Sequence, residues 1–246
     1  RFILRGDLKN FPWHGVDKNK SHFLATAQLT GGLLDFKPSP TRPQNGVWNI
    51  GKIWPVISDI DADLTFEGAS MQIYARSAKT LGATGKAIHA DIAHMGIKDT
   101  LLTVSADVNA PLATMSDYLK ISPVGAMIGG AFDKATAKGD ASLNLKLAIP
   151  LTGEKKPRVN GLLTFRNNAL DMHWPVPPLT DLTGQLRFTE SGATSDKLTA
   201  TALNAPVKAT VHTDNDHMIR IQAQSRLIPE SVRFFVDSEL TKALIA

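Results

Sequence analysis

The chain has 246 residues, 43% of them hydrophobic, with 27 Lys and Arg against 23 Asp and Glu and no cysteine. That length can bury a sizeable core, and the missing cysteines exclude disulfides, thiolate catalysis and cysteine-type zinc sites. No run approaches the roughly 18 apolar residues of a membrane-spanning helix, and scattered cations with only two Tyr leave little for base stacking, so nucleic acid is not an expected partner.

The chain opens on RFILRGDL (1–8), already strand-like, with neither an initiator Met nor a signal peptide, and it closes on a helical pattern, SVRFFVDSELTKALIA (231–246). Both ends read as cut from a longer protein. Between them period-two alternation dominates. Met71, Ile73 and Ala75 alternate with Gln72, Tyr74 and Arg76. Leu102, Val104, Ala106 and Val108 form a second run, and Leu143, Leu145, Leu147 and Ile149 a third, with Ser142, Asn144, Lys146 and Ala148 between them. Ile219, Ile221 and Ala223 form a fourth. Each run puts its apolar side chains on one face of a strand. Gly68, Gly82, Gly85, Gly96, Gly139, Gly153, Asn167-Asn168, Gly192 and Asn215 read as turns between the runs, which predicts antiparallel meanders. Two segments break the period and predict helices, 111–135 and 229–245, with Pro111 and Pro229 suited to a first helical position. Ser122-Pro123 splits the first, because the residue before a proline is driven out of the helical region. Beyond it Val124, Met127, Ile128 and Phe132 share a face at helical spacing.

Much of the chain is said twice. PVISD (55–59) aligns on PPLTD (177–181) at an offset of 122, and the match continues with Ile60 on Leu182, Leu64 on Leu186 and Phe66 on Phe188. LTGGLLDF (29–36) answers LTFRNNALDM (163–172), with Asp35 on Asp171 at an offset of 136. The difference is a Pro/Asn-rich insertion at 38–52 in the first copy. VNAPLATM (108–115) answers RLIPESVR (226–233). The expected organisation is a first β repeat with helices over 1–135 and a second β repeat with a C-terminal helix over 136–246, a modular array rather than a one-pocket enzyme.

No residue set specifies catalysis. Asp59, Asp61 and Asp63 resemble the start of a calcium loop, but Leu64 and Ser70 stand where such a loop needs Gly and Glu, so the three read as a polar strand face. The His residues at 14, 22, 89, 94, 173, 212 and 217 are dispersed, and neither a GxSxG elbow nor a phosphate-binding glycine loop occurs. Gly31-Gly32 and Gly129-Gly130 read as turn and packing glycines. Lys155-Lys156-Pro157-Arg158 is the one tight basic cluster and reads as a solvated hairpin tip, with a membrane-surface or nucleic-acid patch as the minority reading. Trp54-Pro55 and Trp174-Pro175 read as fixed strand entries with a Trp covering a sheet end.

Several of these elements, in order, resemble the large bacterial AsmA-like proteins of the YhdP type. They are R-G-D-L-x-x-F-P-W (5–13), the W-P block (54–71), A-D-I-A (90–93), I-S-P-V (121–124), L-x-L-x-I-P-L (145–151) and V-x-G-x-L-x-F-x-N-N-x-L (159–170). The insertion at 38–52 and Trp13, where Phe is common, depart from the pattern. The resemblance implies repeated, strongly curved antiparallel β modules with a hydrophobic groove, each followed by a short helical segment. It implies a periplasmic portion of an inner-membrane-anchored protein that moves phospholipid between inner and outer membrane and supports the permeability barrier, with no enzymatic activity and no cofactor. A phospholipid or another acyl-chain lipid is then the expected partner, and membrane contact falls to parts outside this chain. Met71, Ile73, Leu102, Val104, Leu143, Leu145, Leu147, Ile219 and Ile221 are the candidate groove lining. The same faces equally admit a closed core beneath the helices, which would make the chain a structural or protein-interaction scaffold.

Overall fold

The computed structural model describes residues 1–7, 9, 21–35, 55–122, 133–173, 177–216 and 218–226. The alternating runs become strands β1 (Phe2–Arg5), β2 (His22–Leu34), β3 (Ile57–Glu67), β4 (Ser70–Thr80), β5 (Ala83–Ile92) and β6 (Leu101–Pro111). After helix α1 (Leu112–Ile121) come β7 (Thr136–Lys138), β8 (Asp140–Pro150), β9 (Arg158–Asp171), β10 (Leu179–Thr189), β11 (Gly192–Ala202), β12 (Ala205–Thr213) and β13 (Ile219–Ser225). Hydrogen bonds order the strands β1-β2-β3-β4-β5-β6-β8-β9-β10-β11-β12-β13, with β7 beside β9, and the path does not close. Short turns between neighbours make the pairs antiparallel, as the spacing of turn signals predicts.

Two compact units form: Arg1–Asn109 with Leu143–Gly161 (unit 1), and Ala110–Ser142 with Leu162–Ala246 (unit 2). The repeat is visible in the backbone. Strands β3 and β4 are each displaced by 122 residues from β10 and β11, and β2 begins 136 residues before β9. Unusual dihedrals recur at the same offsets. Asp59 (φ 49°) matches Asp181 (φ 53°), Leu81 (φ 50°) matches Leu203 (φ 50°), and Gly31 (φ 64°) matches Asn167 (φ 54°). Gly, Asn and Asp are the residues that tolerate this left-handed conformation, so the Asp shared by the two copies answers a backbone demand.

Of these positions, Gly31, Asp59 and Asp181 lie at bulges, and Leu81 and Leu203 in hairpin turns. The register slips between Leu29 and Gly32 in β2, between Ser58 and Asp61 in β3, and between Thr180 and Thr183 in β10. Each extra residue bends its strand and raises the local twist. Three expected turns are therefore not turns: Gly31-Gly32 lies at a bulge within β2, Asn167-Asn168 lies within β9 with Asn167 at positive φ, and Gly85 lies buried within β5. Asn168 is fully buried and earns its place as a rivet. Its Nδ2 donates to the carbonyls of Lys138 and Asp140 at 3.1 and 3.2 Å, and its Oδ1 accepts from the Arg166 N–H at 2.7 Å.

Helix α1 starts one residue later than expected. Pro111 has a helical φ of −53° but an extended ψ of 136°, so it ends β6 and α1 begins at Leu112. The helix stops before Ser122, whose ψ of 159° is the extended value that the following Pro123 imposes. The remainder of the first expected helical segment up to 132, the helix at 229–245, the insertion, both Trp-Pro tryptophans and Gly129-Gly130 lie outside the described residues.

Candidate functional site

In unit 1 the registers turn alternation into transverse apolar rows. One row runs Phe2, Ala25, Phe66, Met71, Ile92. The next runs Ala27, Leu64, Ile73, Ala90, Val104, and a third runs Leu29, Ala62, Ala75, Ile88. Directly paired residues share a face, so these rows make one continuous apolar surface. The residues between them form polar rows on the other face: Thr26, Thr65, Gln72, Asp91, Thr103 and Gln28, Asp63, Tyr74, His89, Ser105.

Strand β8 joins the same arrangement. Asn144 Nδ2 donates to Asp107 Oδ1 at 2.6 Å, which puts Asn144 on the polar side. Alternation then places Leu143, Leu145 and Leu147 on the apolar side with Leu102 and Val104. Seven of the nine candidate lining residues thus fall on one face of unit 1: Met71, Ile73, Leu102, Val104, Leu143, Leu145 and Leu147, all half-buried. The buried apolar residues described in unit 1 are Ala62, Ala69, Ala75, Ala78, Ala83 and Ile92. Small alanines are covered by their neighbours, while the larger side chains around them keep part of their surface accessible.

Unit 2 holds the other two candidates. Ile219 and Ile221 lie on β13, 56% and 60% exposed. Ile221 pairs with Val211, and Val211 with Ser195. Elsewhere in this unit part of the apolar face is covered. Leu112, Ala141, Phe165 and Leu182 form a buried cluster, with Met115, Leu186 and Leu198 packed against it. Leu112 and Met115 belong to α1, so the helix supplies the cover.

Leu64, Phe66 and Ile92 share the unit 1 face but were absent from the sequence-based set. Their signal was present, since Leu64 and Phe66 alternate with Asp63 and Thr65. The acidic residues drew attention to the other face of the same strand.

That acidic face is occupied by ion pairs. Arg76 hydrogen-bonds Asp61 and Asp63, and Lys79 lies 3.2 Å from Asp59. The hydrogen bonds from Arg76 hold the Asp61 carboxyl below the usual carboxylate range, and Asp61 and Asp63 in turn raise Arg76. His89 stacks on Tyr74 at 4.7 Å, and His22 lies 3.6 Å from Glu67. Among the described residues no group of three or more His, Asp or Glu is arranged to hold a metal, and no helix is long and apolar enough to cross a membrane.

Comparison with known proteins gives two positive results. The family model described as YhdP protein matches residues 1–244. The "Intermembrane phospholipid transporter YhdP" of Escherichia coli (strain K12) is 28% identical over 205 residues, 83% of this chain and 15% of that protein. The chain thus spans about a seventh of the length of that relative. No solved structure matches the chain.

Proposed function

The chain belongs to the YhdP protein family, and on that premise we propose that it is a non-enzymatic lipid-binding and lipid-conducting module of an envelope-spanning bridge. The observation that carries this reading is the apolar face of unit 1. Its rows run strand to strand from β1 to β6 and, apart from the buried Ile92, their large side chains are half-buried or exposed. A soluble protein keeps such a surface only for a partner. Acyl chains suit it, at about 0.8 kcal/mol per buried methylene, and rows of Leu, Ile, Val and Met offer no directional group to hold a lipid at one point. The name of the E. coli relative, an intermembrane phospholipid transporter, supports phospholipid as the cargo and movement between membranes as the task. On this reading the chain is a periplasmic stretch, anchored through other parts of the protein and contributing to the permeability barrier. We also divide it into modules at 1–135 and 136–246, each carrying one copy of the repeated strand frame.

A second reading, a scaffold with a closed core, draws on unit 2, where α1 covers the Phe165–Leu182 cluster. Native mass spectrometry of the chain with phospholipid separates the two, together with Leu147→Asp. A lipid surface gives bound phospholipid in the wild type and loss of it in a variant that still melts cooperatively. A closed core gives no bound lipid and an unfolded variant, because a buried unpaired charge costs about 3–5 kcal/mol.

A further inference from the structure

At one end of unit 1 two loops are stapled together: residues 93–100 between β5 and β6, and residues 151–157 between β8 and β9. The Thr100 N–H donates to Thr152 Oγ1 at 2.9 Å, and the Leu151 N–H donates to the Thr100 carbonyl at 2.8 Å. The hydroxyls of Thr100 and Thr152 both donate to the Ile97 carbonyl, at 2.9 and 3.3 Å. Lys155 Nζ lies 3.3 Å from Asp99. Thr100, at the centre of this network, is buried. The tip is therefore held by defined bonds rather than being a loose hairpin end.

What the staple presents is amphiphilic. Ile97 and Leu151 are 42% and 50% exposed. The two loops and the first residue of β9 carry four cations, Lys98, Lys155, Lys156 and Arg158, against two carboxylates, Asp99 and Glu154. Lys155 is engaged by Asp99, whereas Lys98, Lys156 and Arg158 form no ion pair among the described residues. The tip also adjoins the apolar face, since β6 leaves it at Leu101 and β8 enters it at Pro150. Ile92, Leu102 and, by the alternation of β8, Ile149 are the members of that face nearest in sequence to the two loops.

We propose that this tip is a headgroup site for the apolar face, binding the phosphate of an anionic phospholipid whose acyl chains lie along Leu102, Val104, Leu145 and Leu147. The inference rests on the lipid-binding reading above and adds a preference for anionic lipids at a named place. Uncommitted cations beside exposed aliphatic side chains match an amphiphile with a charged head and apolar tails. Each cation near an anionic headgroup contributes about five-fold in affinity, and the contribution is screened by salt.

The test is uptake of acyl-labelled phosphatidylglycerol and phosphatidylcholine by the 246-residue chain, wild type against the triple variant K98Q/K156Q/R158Q. The wild type is expected to favour phosphatidylglycerol. The variant is expected to bind it about a hundred-fold more weakly, with phosphatidylcholine uptake and circular dichroism unchanged. High salt should erase the wild-type preference. Equal uptake of the two lipids by the wild type, or an unchanged preference in the variant, overturns the headgroup site and leaves the lipid-binding reading intact. Uptake of neither lipid overturns both. Co-sedimentation with intact phosphatidylglycerol vesicles without lipid extraction also overturns the headgroup site, assigning the cations to a membrane surface instead.

Discussion

Leu29 and Phe165 occupy equivalent places in the two copies, 136 residues apart, yet Phe165 is 5% exposed and Leu29 is 37% exposed. Both sit on the apolar side of a long strand, two residues before a residue with left-handed φ, Gly31 in one case and Asn167 in the other. The strand frame is common to both; the cover is not. In unit 2, α1 brings Leu112 and Met115 onto the face and closes a small core. Among the described residues unit 1 has no α-helix, and apart from the buried Ile92 its large apolar side chains are half-buried or exposed. Alternation in a strand therefore dictates which face is apolar, and a separate element decides whether that face becomes a core or a surface.

The largest expected effect tests this division directly. Phe165→Ala should cost about 3–5 kcal/mol, the range for emptying a packed aromatic site. Leu29→Ala, at the matching position, should cost under about 1 kcal/mol, as for a site with little burial to lose. Urea unfolding of the two variants gives the comparison. Equal losses would mean that Leu29 is packed as deeply as Phe165 and that both copies are closed.

How much of this was legible beforehand differs between levels of structure. Strands such as β4 and β8 were readable because one residue in two is apolar, as in Met71-Gln72-Ile73 and Leu145-Lys146-Leu147. The end of α1 was readable at Ser122-Pro123 for a steric reason. The bulge at Gly31-Gly32 and the unbroken strand through Asn167-Asn168 were not, because both dipeptides carry the residues of a turn, and only pairing to the next strand distinguishes a strand position from one. Asp59, Asp61 and Asp63 looked alike in sequence but do different things: Asp59 satisfies a positive φ, while Asp61 and Asp63 share Arg76. The stapled tip was seen only as four basic-cluster residues, since the bonds from Thr100 to Thr152 and Leu151 join segments some 50 residues apart.

A smaller effect is expected at the β4–β5 and β11–β12 hairpins, which share an awkward residue. Leu81-Gly82 and Leu203-Asn204 are two-residue turns with positive φ at both positions, the geometry that matches strand twist and favours Asn-Gly. Leucine in that conformation costs roughly 1 kcal/mol. Leu81→Asn creates Asn-Gly and should stabilise unit 1 by about 0.5–1 kcal/mol, a rise of roughly 2–3 °C in Tm. Leu203→Asn should give somewhat less, because Asn204 rather than Gly follows it. A loss of stability in either variant would mean that the leucine side chain packs well enough to offset its backbone strain.

The smallest effect concerns acid, and it separates the units by the kind of group that holds a carboxylate. Asp61 in unit 1 lies below the ordinary value of 3.8 chiefly because Arg76 hydrogen-bonds it. Asp214 in unit 2 is lowered chiefly by the Met218 N–H, with the Arg220 guanidinium and the Asp216 N–H assisting. Both are depressed in the folded state, so each contributes stability that is present above about pH 3.8 and is lost as pH falls through its folded value. Arg76→Gln should return Asp61 to about 3.8 in an NMR titration while leaving Asp214 unmoved. Salt provides an independent separation. An exposed guanidinium–carboxylate pair is screened, whereas a backbone N–H hydrogen-bonded to a carboxylate depends on loop geometry. Raising the ionic strength should therefore move Asp61 upward more than Asp214. The opposite order would mean that Arg220, rather than the loop between β12 and β13, holds Asp214, and the two units would then anchor their carboxylates in the same way.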